Sequence, residues 1–341
     1  MSALWTVNHK GVIVTAKRKL MGAVGIAATM VLVGVAAFDA SQSTTGTDPS
    51  TKLTFMSPSA PGGGWDLAAR ESQQALRAGG IVNNVQVVNV PGAGGTIGLS
   101  QFVGLGADPT NLMMTGTVMM GAINVNKSTV DLSDTTPIAR LAEDYEVFIV
   151  PANSPYETLD DFIADWKQNP HSVAIGGGGV GGTDHLLAGL VAEEAGIDPG
   201  DINYVSYAGG GEVLTSLLSN TVAIGVSGYN EFSDQIEAGN LRALAVSAEE
   251  PIDGIDVPTL IDQGVDVHLP NWRGIVAPPG ITDAERDQLV AIFEEMAATP
   301  EWQDTLERNS WEPALLTGDD FAAFIEEDQA RVDQIIEELG L

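Results

Sequence analysis

Pro61-Gly62-Gly63-Gly64-Trp65-Asp66 and Gly176-Gly177-Gly178-Gly179-Val180-Gly181-Gly182-Thr183-Asp184-His185 each stand between an apolar, strand-like stretch and the start of an amphipathic helix. Strand, glycine loop and helix in that order make an anion site. The first turn of a helix leaves backbone N–H groups unpaired and carries the positive end of the dipole, and glycine lets a ligand approach the chain closely. Two such loops, well separated along the chain, predict two lobes that close on one anion.

The chain has 341 residues, enough for two domains with full cores. Lys10, Lys17, Arg18 and Lys19 followed by the apolar run Leu20 to Ala37 read as a secretory signal, with cleavage expected after Ala37. A membrane anchor is the other reading, because the run approaches the ~20 residues that span hydrocarbon. Residues 1–40 are thus read as signal or anchor and 41–50 as a Ser/Thr/Gly-rich linker, which places the rest outside the cytoplasm.

There is no cysteine, which excludes disulfides, thiolate metal sites and a lipid-modified cysteine. Four of the fifteen basic residues precede residue 38, while all forty-six acidic ones follow it. Nucleic acid and anionic membrane surfaces are therefore poor partners. Acidic residues dispersed over helices suit salty surroundings, where a short Debye length screens self-repulsion. Stability against denaturant is expected to rise from low to molar salt, and no gain would refute this adaptation.

From Leu53 onward strands and helices alternate. Leu53 to Met56, Val85 to Val90 and Leu112 to Thr115 read as parallel strands, with helices at Asp66 to Arg77 and Gly98 to Leu105. Pro91-Gly92-Ala93-Gly94-Gly95-Thr96 is a third glycine-rich turn. Ala139 to Val150 reads as a strand leaving this lobe, and the second strand–loop–helix unit follows, with a helix at Asp184 to Ala195. Asn271 to Ala277 reads as the returning strand, and the region beyond it as helical, with capping boxes at Thr282…Glu285 and Thr317…Asp320. The expected division is residues 50–150 plus 274–341 for one lobe and 151–273 for the other.

Asp66 either complements the helix dipole or meets the ligand, and Arg70 one turn later most simply pairs with it, worth about 0.2–0.5 kcal/mol. Thr183 is expected to cap its helix. Gly176, Gly178 and Gly181 fit the dinucleotide spacing G-x-G-x-x-G, a weak signal against an export sequence and a matching loop in the other lobe. The histidines show no ligand spacing, Ser227 lies outside any nucleophile elbow, and neither a catalytic set nor a cofactor is called for. Binding fits better than turnover.

With these residues in view the chain resembles the substrate-binding proteins of tripartite tricarboxylate transporters, the TctC or Bug receptors, from about Leu53 to the C-terminus. The resemblance rests on Pro61 to Asp66, Asn89 to Thr96, Gly176 to His185, Gly209-Gly210-Gly211-Glu212, Asn271-Trp272-Arg273-Gly274 and Ala277-Pro278-Pro279-Gly280. It implies an α/β, type II periplasmic-binding-protein fold: two α/β domains joined by two crossover strands, with the ligand in the interlobe cleft. It also implies capture of a small carboxylate largely by backbone amides and delivery to a permease with a large and a small membrane subunit, without a cofactor. By position, one wall would be Gly62, Gly63, Gly64, Trp65 and Asp66 with Gly94, Thr96, Thr115 and Thr117. The facing wall would be Gly178, Gly179, Val180, Gly181, Thr183 and Asp184 with Tyr207, Gly210, Ser227 and Asn230. Arg273, in the return strand, reads as hinge or interlobe structure rather than ligand clamp. A sensor for a membrane kinase and a secreted α/β enzyme using Asp66 or Asp184 are the rival functions.

Overall fold

The computed structural model describes residues 48–207 and 209–341, so the signal segment lies outside the described residues. The first lobe begins with β1 (Lys52–Ser57), α1 (Gly64–Ala78), β2 (Asn84–Asn89), α2 (Thr96–Val103), β3 (Asn111–Gly116) and α3 (Thr117–Val125). The long β4 (Thr136–Pro151) leads to α4 (Leu159–Gln168), β5 (Ala174–Gly177), α5 (Thr183–Glu194), β6 (Asn203–Ser206), α6 (Gly210–Leu218), β7 (Ile224–Gly228), α7 (Tyr229–Glu237) and β8 (Leu241–Val246). The chain returns through β9 (Pro270–Ala277) and ends with α8 (Asp283–Ala297), α9 (Pro300–Arg308), β10 (Glu312–Thr317) and α10 (Gly318–Glu338). Among the described residues no helix is long and apolar enough to cross a membrane.

Ten strands form one continuous sheet, ordered β2-β1-β3-β9-β4-β7-β5-β6 with β10 and β8 also on β4. The first half of β4 pairs with β9 and β10, the second half with β7 and β8. Register shifts at Pro137/Ala139, Arg140/Ala142 and Phe148/Ile149 bend β4 so that one strand serves both halves. The parallel β1, with Leu53 opposite Val85, is buried along its whole length, the polar Lys52, Thr54 and Ser57 included, as a strand covered on both faces is. Phe55 meets Phe293 edge-to-face in this half, while Val147, Ile149, Val213, Leu217 and Phe232 pack in the other. Each such side chain contributes about 1.5–3 kcal/mol by leaving water.

Three local expectations are corrected. Thr183 is the first residue of α5, and Gly182 is the N-cap, because the extended turn comes one residue earlier. Thr317 does cap α10, but its hydroxyl donates to Glu294 Oε1 at 2.9 Å, so no capping box with Asp320 forms. Glu312–Thr317 is a strand inside the region expected to be helical, held there by antiparallel pairing with β4. The Thr282–Glu285 box forms as expected.

Candidate functional site

The glycine loops meet in a cleft of about 560 Å³. Four helices, α1, α5, α6 and α7, begin at its wall, and their N-caps are Gly63, Gly182, Gly209 and Gly228, all of which line it. None of the four has a side-chain cap. Elsewhere α4, α8 and α9 are capped by the hydroxyls of Thr158, Thr282 and Thr299, while α2, α3 and α10 also start without a side-chain cap. Four uncapped, dipole-positive helix ends aimed at one volume are a strong anion-attracting arrangement. A hollow of similar size beside α3 and α10, lined by Asp333 and Glu337, has no such helix ends.

Each of these helices carries an acid in its first turn, and three of those acids hold their loops in shape. Asp66 Oδ2 accepts from Gly62 N–H at 2.8 Å and Arg70 Nε at 2.9 Å, and its Oδ1 accepts from Asn89 Nδ2 at 2.8 Å. Asp184 Oδ2 accepts from Gly178 N–H at 2.6 Å, and Glu231 Oε2 from Gly210 N–H at 2.7 Å. Gly62 adopts φ +87°, which the tight turn into α1 requires.

The structure brings Gly62, Gly63, Gly64, Trp65, Gly178 and Gly179 to the cleft wall, together with Thr183, Asp184, Gly210 and Ser227. The remaining expected residues lie outside this lining. Asp66 is buried behind it in the network just described. Gly94, at φ +58°, is packed against Ala122, and Thr96 donates its hydroxyl to the Ala93 carbonyl at 2.9 Å, so the third glycine turn braces α3. Thr115 Oγ1 is turned to Met119 Sδ, and Thr117 Oγ1 donates to the Pro270 carbonyl at 3.1 Å. Val180 is half exposed, and Gly181 N–H is bound to His185 Nδ1 at 3.2 Å. Tyr207 packs against the apolar core of the second half, and Asn230 Nδ2 donates to the Asn309 carbonyl.

Sequence reasoning missed Glu146, Glu231, Asn271 and Arg273, all of which line the cleft. Glu146 had a visible signal, a lone carboxylate within the buried run Val147-Phe148-Ile149-Val150. It is 1% exposed; Oε1 accepts from Asn271 Nδ2 at 3.0 Å and Oε2 has no partner. Arg273 pairs with the buried Asp144, lies over the Trp311 ring, and presses its guanidinium against Gly64. Arg273 thus joins β9 to β4, as hinge or interlobe structure would, and also forms cleft wall. Thr183 Oγ1, freed from capping, is wholly buried at the wall without a partner.

Burial is the main cause that raises the proton affinity of these acids. Burial, with Asp184, Asp144 and Glu231 facing it, pushes Glu146 well above the usual carboxylate range. Burial lifts Asp184 to about 7 against the N–H of Gly178 and the hydroxyl of Ser227, and it raises Glu231 as well. Burial also depresses His185 to about 4, so its ring is neutral, stacked on Tyr204 at 4.1 Å, and acts as structure.

The family described as "Tripartite tricarboxylate transporter family receptor" matches over residues 68–341. BugT of Bordetella pertussis is 26% identical over 300 residues, covering 86% of this chain and 91% of BugT. A TctC solute-binding protein from Polaromonas, solved without ligand, is 28% identical with a TM-score of 0.68 over 85% of this chain and 99% of that one. A Rhodopseudomonas palustris protein solved with adipate is 22% identical with a TM-score of 0.76, over 86% and 98% of the two chains, a likeness of fold.

Proposed function

This chain belongs to the tripartite tricarboxylate transporter receptor family, whose members are periplasmic solute receptors rather than enzymes, and from that premise we propose that it captures a small carboxylate in the cleft and hands it to a two-subunit membrane permease. The observation that carries the reading is the convergence of four glycine-capped helix starts on one volume. Backbone N–H groups satisfy carboxylate oxygens directionally without burying a further cation. The adipate in the Rhodopseudomonas palustris protein supports a carboxylate in this fold.

The lobes are assigned as residues 50–150 with 274–341, and 151–273. A ligand that bridges them shifts the population toward the closed form, because it gains contacts there that the open form lacks. Gly64 and Trp65 N–H groups supply one wall, and Gly179 with the Thr183 hydroxyl supplies the other.

Thermal unfolding of the purified protein against mono-, di- and tricarboxylates tests this directly. A ligand at one hundred times its dissociation constant adds about 2.7 kcal/mol and moves the midpoint by several degrees. Gly179→Val is expected to remove that shift with folding preserved, since a side chain at Gly179 meets nothing within 4 Å and projects from the cleft wall. A full shift in the variant, or no shift with any carboxylate, would refute the assignment.

A further inference from the structure

The cleft has two chemically different walls. At the first, α1 opens with the unpaired N–H groups of its first turn, and the Arg273 guanidinium rests against Gly64. The second is lined by three carboxyls, Glu146 from β4, Asp184 from α5 and Glu231 from α7. Asp184 already accepts from Gly178, from its own N–H and from the Ser227 hydroxyl, while Asn271 donates to Glu146 Oε1 and Gly210 to Glu231; Glu146 Oε2, buried at the wall, accepts nothing. Thr183 Oγ1, wholly buried beside them, is also without a partner.

A simple anion would not call for this second wall. Among the described residues no three His, Asp or Glu side chains are arranged to hold a metal ion, so the acids do not make a cation cage of that kind. The arginine that lines the cleft is already paired with Asp144. What the acids lack is a donor of several hydrogen bonds with one positive charge, the description of an ammonium group.

We propose that the ligand is a carboxylate that also carries a protonated amine, its carboxylate at the α1 wall and its ammonium among Glu146, Asp184 and Glu231. The proposal rests on the carboxylate-receptor reading above and narrows it to zwitterionic acids. The ammonium replaces mutual repulsion among the acids with charge-assisted hydrogen bonds, and Glu146 Oε2 and Thr183 Oγ1 gain the partner they lack.

Proton linkage gives the two ligand classes opposite signs. The groups facing the wall are Asp144 and Arg273, Glu212 from α6, the Tyr204 hydroxyl on the Gly178 carbonyl, and the neutral His185 behind it. In the free protein burial raises Glu146, Asp184 and Glu231, Asp184 to about 7. An arriving ammonium lowers those values, so binding releases protons and tightens as pH rises toward about 7. A dicarboxylate raises them, takes up protons, and loosens over the same range.

Calorimetric titration in buffers of different ionisation enthalpy, comparing succinate with aspartate and adipate with 2-aminoadipate, decides it. In at least one pair the amino acid is expected to bind about ten- to hundredfold more tightly at pH 8 than its unaminated partner and to release protons. Glu146→Gln, checked for folding by thermal melting, should reduce that preference about tenfold and diminish the proton release. Dicarboxylates that bind as tightly as their amino analogues, with proton uptake, would overturn the ammonium subsite and leave the carboxylate receptor standing. Silence toward every probe would overturn both.

Discussion

Arg273→Met is expected to destabilise the ligand-free protein by about 3–5 kcal/mol near pH 8, the usual cost of removing one member of a buried ion pair. Arg273 and Asp144 have side chains 11% and 9% exposed, so neither is rescued by solvent. Methionine fills much of the space under Trp311 but leaves Asp144 facing Glu146 and Glu231 with no cation. Arg273 opposes the upward shift of Glu146 and, after the Gly210 N–H, that of Glu231, and without it those shifts grow. Acids whose folded-state values lie above their unfolded ones bind more protons folded than unfolded, so their contribution to stability falls as pH rises through that interval. The deficit of Arg273→Met should accordingly shrink between pH 8 and pH 5. Denaturant titration at the two pH values measures it; an equal loss at both would mean that Arg273 acts through packing on Trp311 alone.

The strand–loop–helix units were legible because their signals are local. Glycine at Gly62 to Gly64, an apolar run before it and helical periodicity after it lie within one short window, and β1 and α1 form where that window places them. The hydroxyls were less legible because serine and threonine have several uses that look alike in sequence. Thr115, Thr117 and Thr96 spend theirs on Met119, Pro270 and Ala93, whereas Thr183, read both as a cap and as facing wall, has its hydroxyl free at the cleft. The acidic wall was invisible for a different reason. Glu146, Asp184 and Glu231 lie on β4, α5 and α7, and only the bent, shared β4 and the β4–β7 pairing bring them to one place. Asp184 is placed in the wall by position in the resemblance; the burial and the acidic neighbours that lift it to about 7 come from the tertiary fold. β10 was missed likewise, since its strand state comes from its partner rather than from its own composition.

Gly121→Val is expected to weaken ligand binding about ten- to hundredfold while the protein stays folded. Gly121 lies inside α3, where glycine costs about 1 kcal/mol relative to alanine, so its presence calls for a packing reason. That reason is contact: a Cβ at Gly121 would overlap the carbonyl oxygen of Gly181, and Gly181 itself, at φ +78°, abuts Val125. Helix α3 belongs to the first lobe as assigned and the Gly181 turn to the second, so this is where backbone meets backbone across the cleft. Gly189 against Leu339 and Asn230 with Asn309 bring the same lobes together elsewhere, but those contacts run through side chains that can adjust. Overpacking costs about 1–3 kcal/mol, and on the two-lobe reading it falls on the form in which α3 and the Gly181 turn touch, so it reappears as a smaller fraction of that form and a proportionally weaker apparent affinity. Gly121→Ala separates this from a folding defect. Alanine favours the helix but places only a single methyl against the Gly181 carbonyl, so Gly121→Ala should cost less stability than Gly121→Val while affinity falls and small-angle scattering shows less compaction with ligand. Unchanged affinity and compaction in both variants would mean that closure does not pass through the Gly121–Gly181 contact.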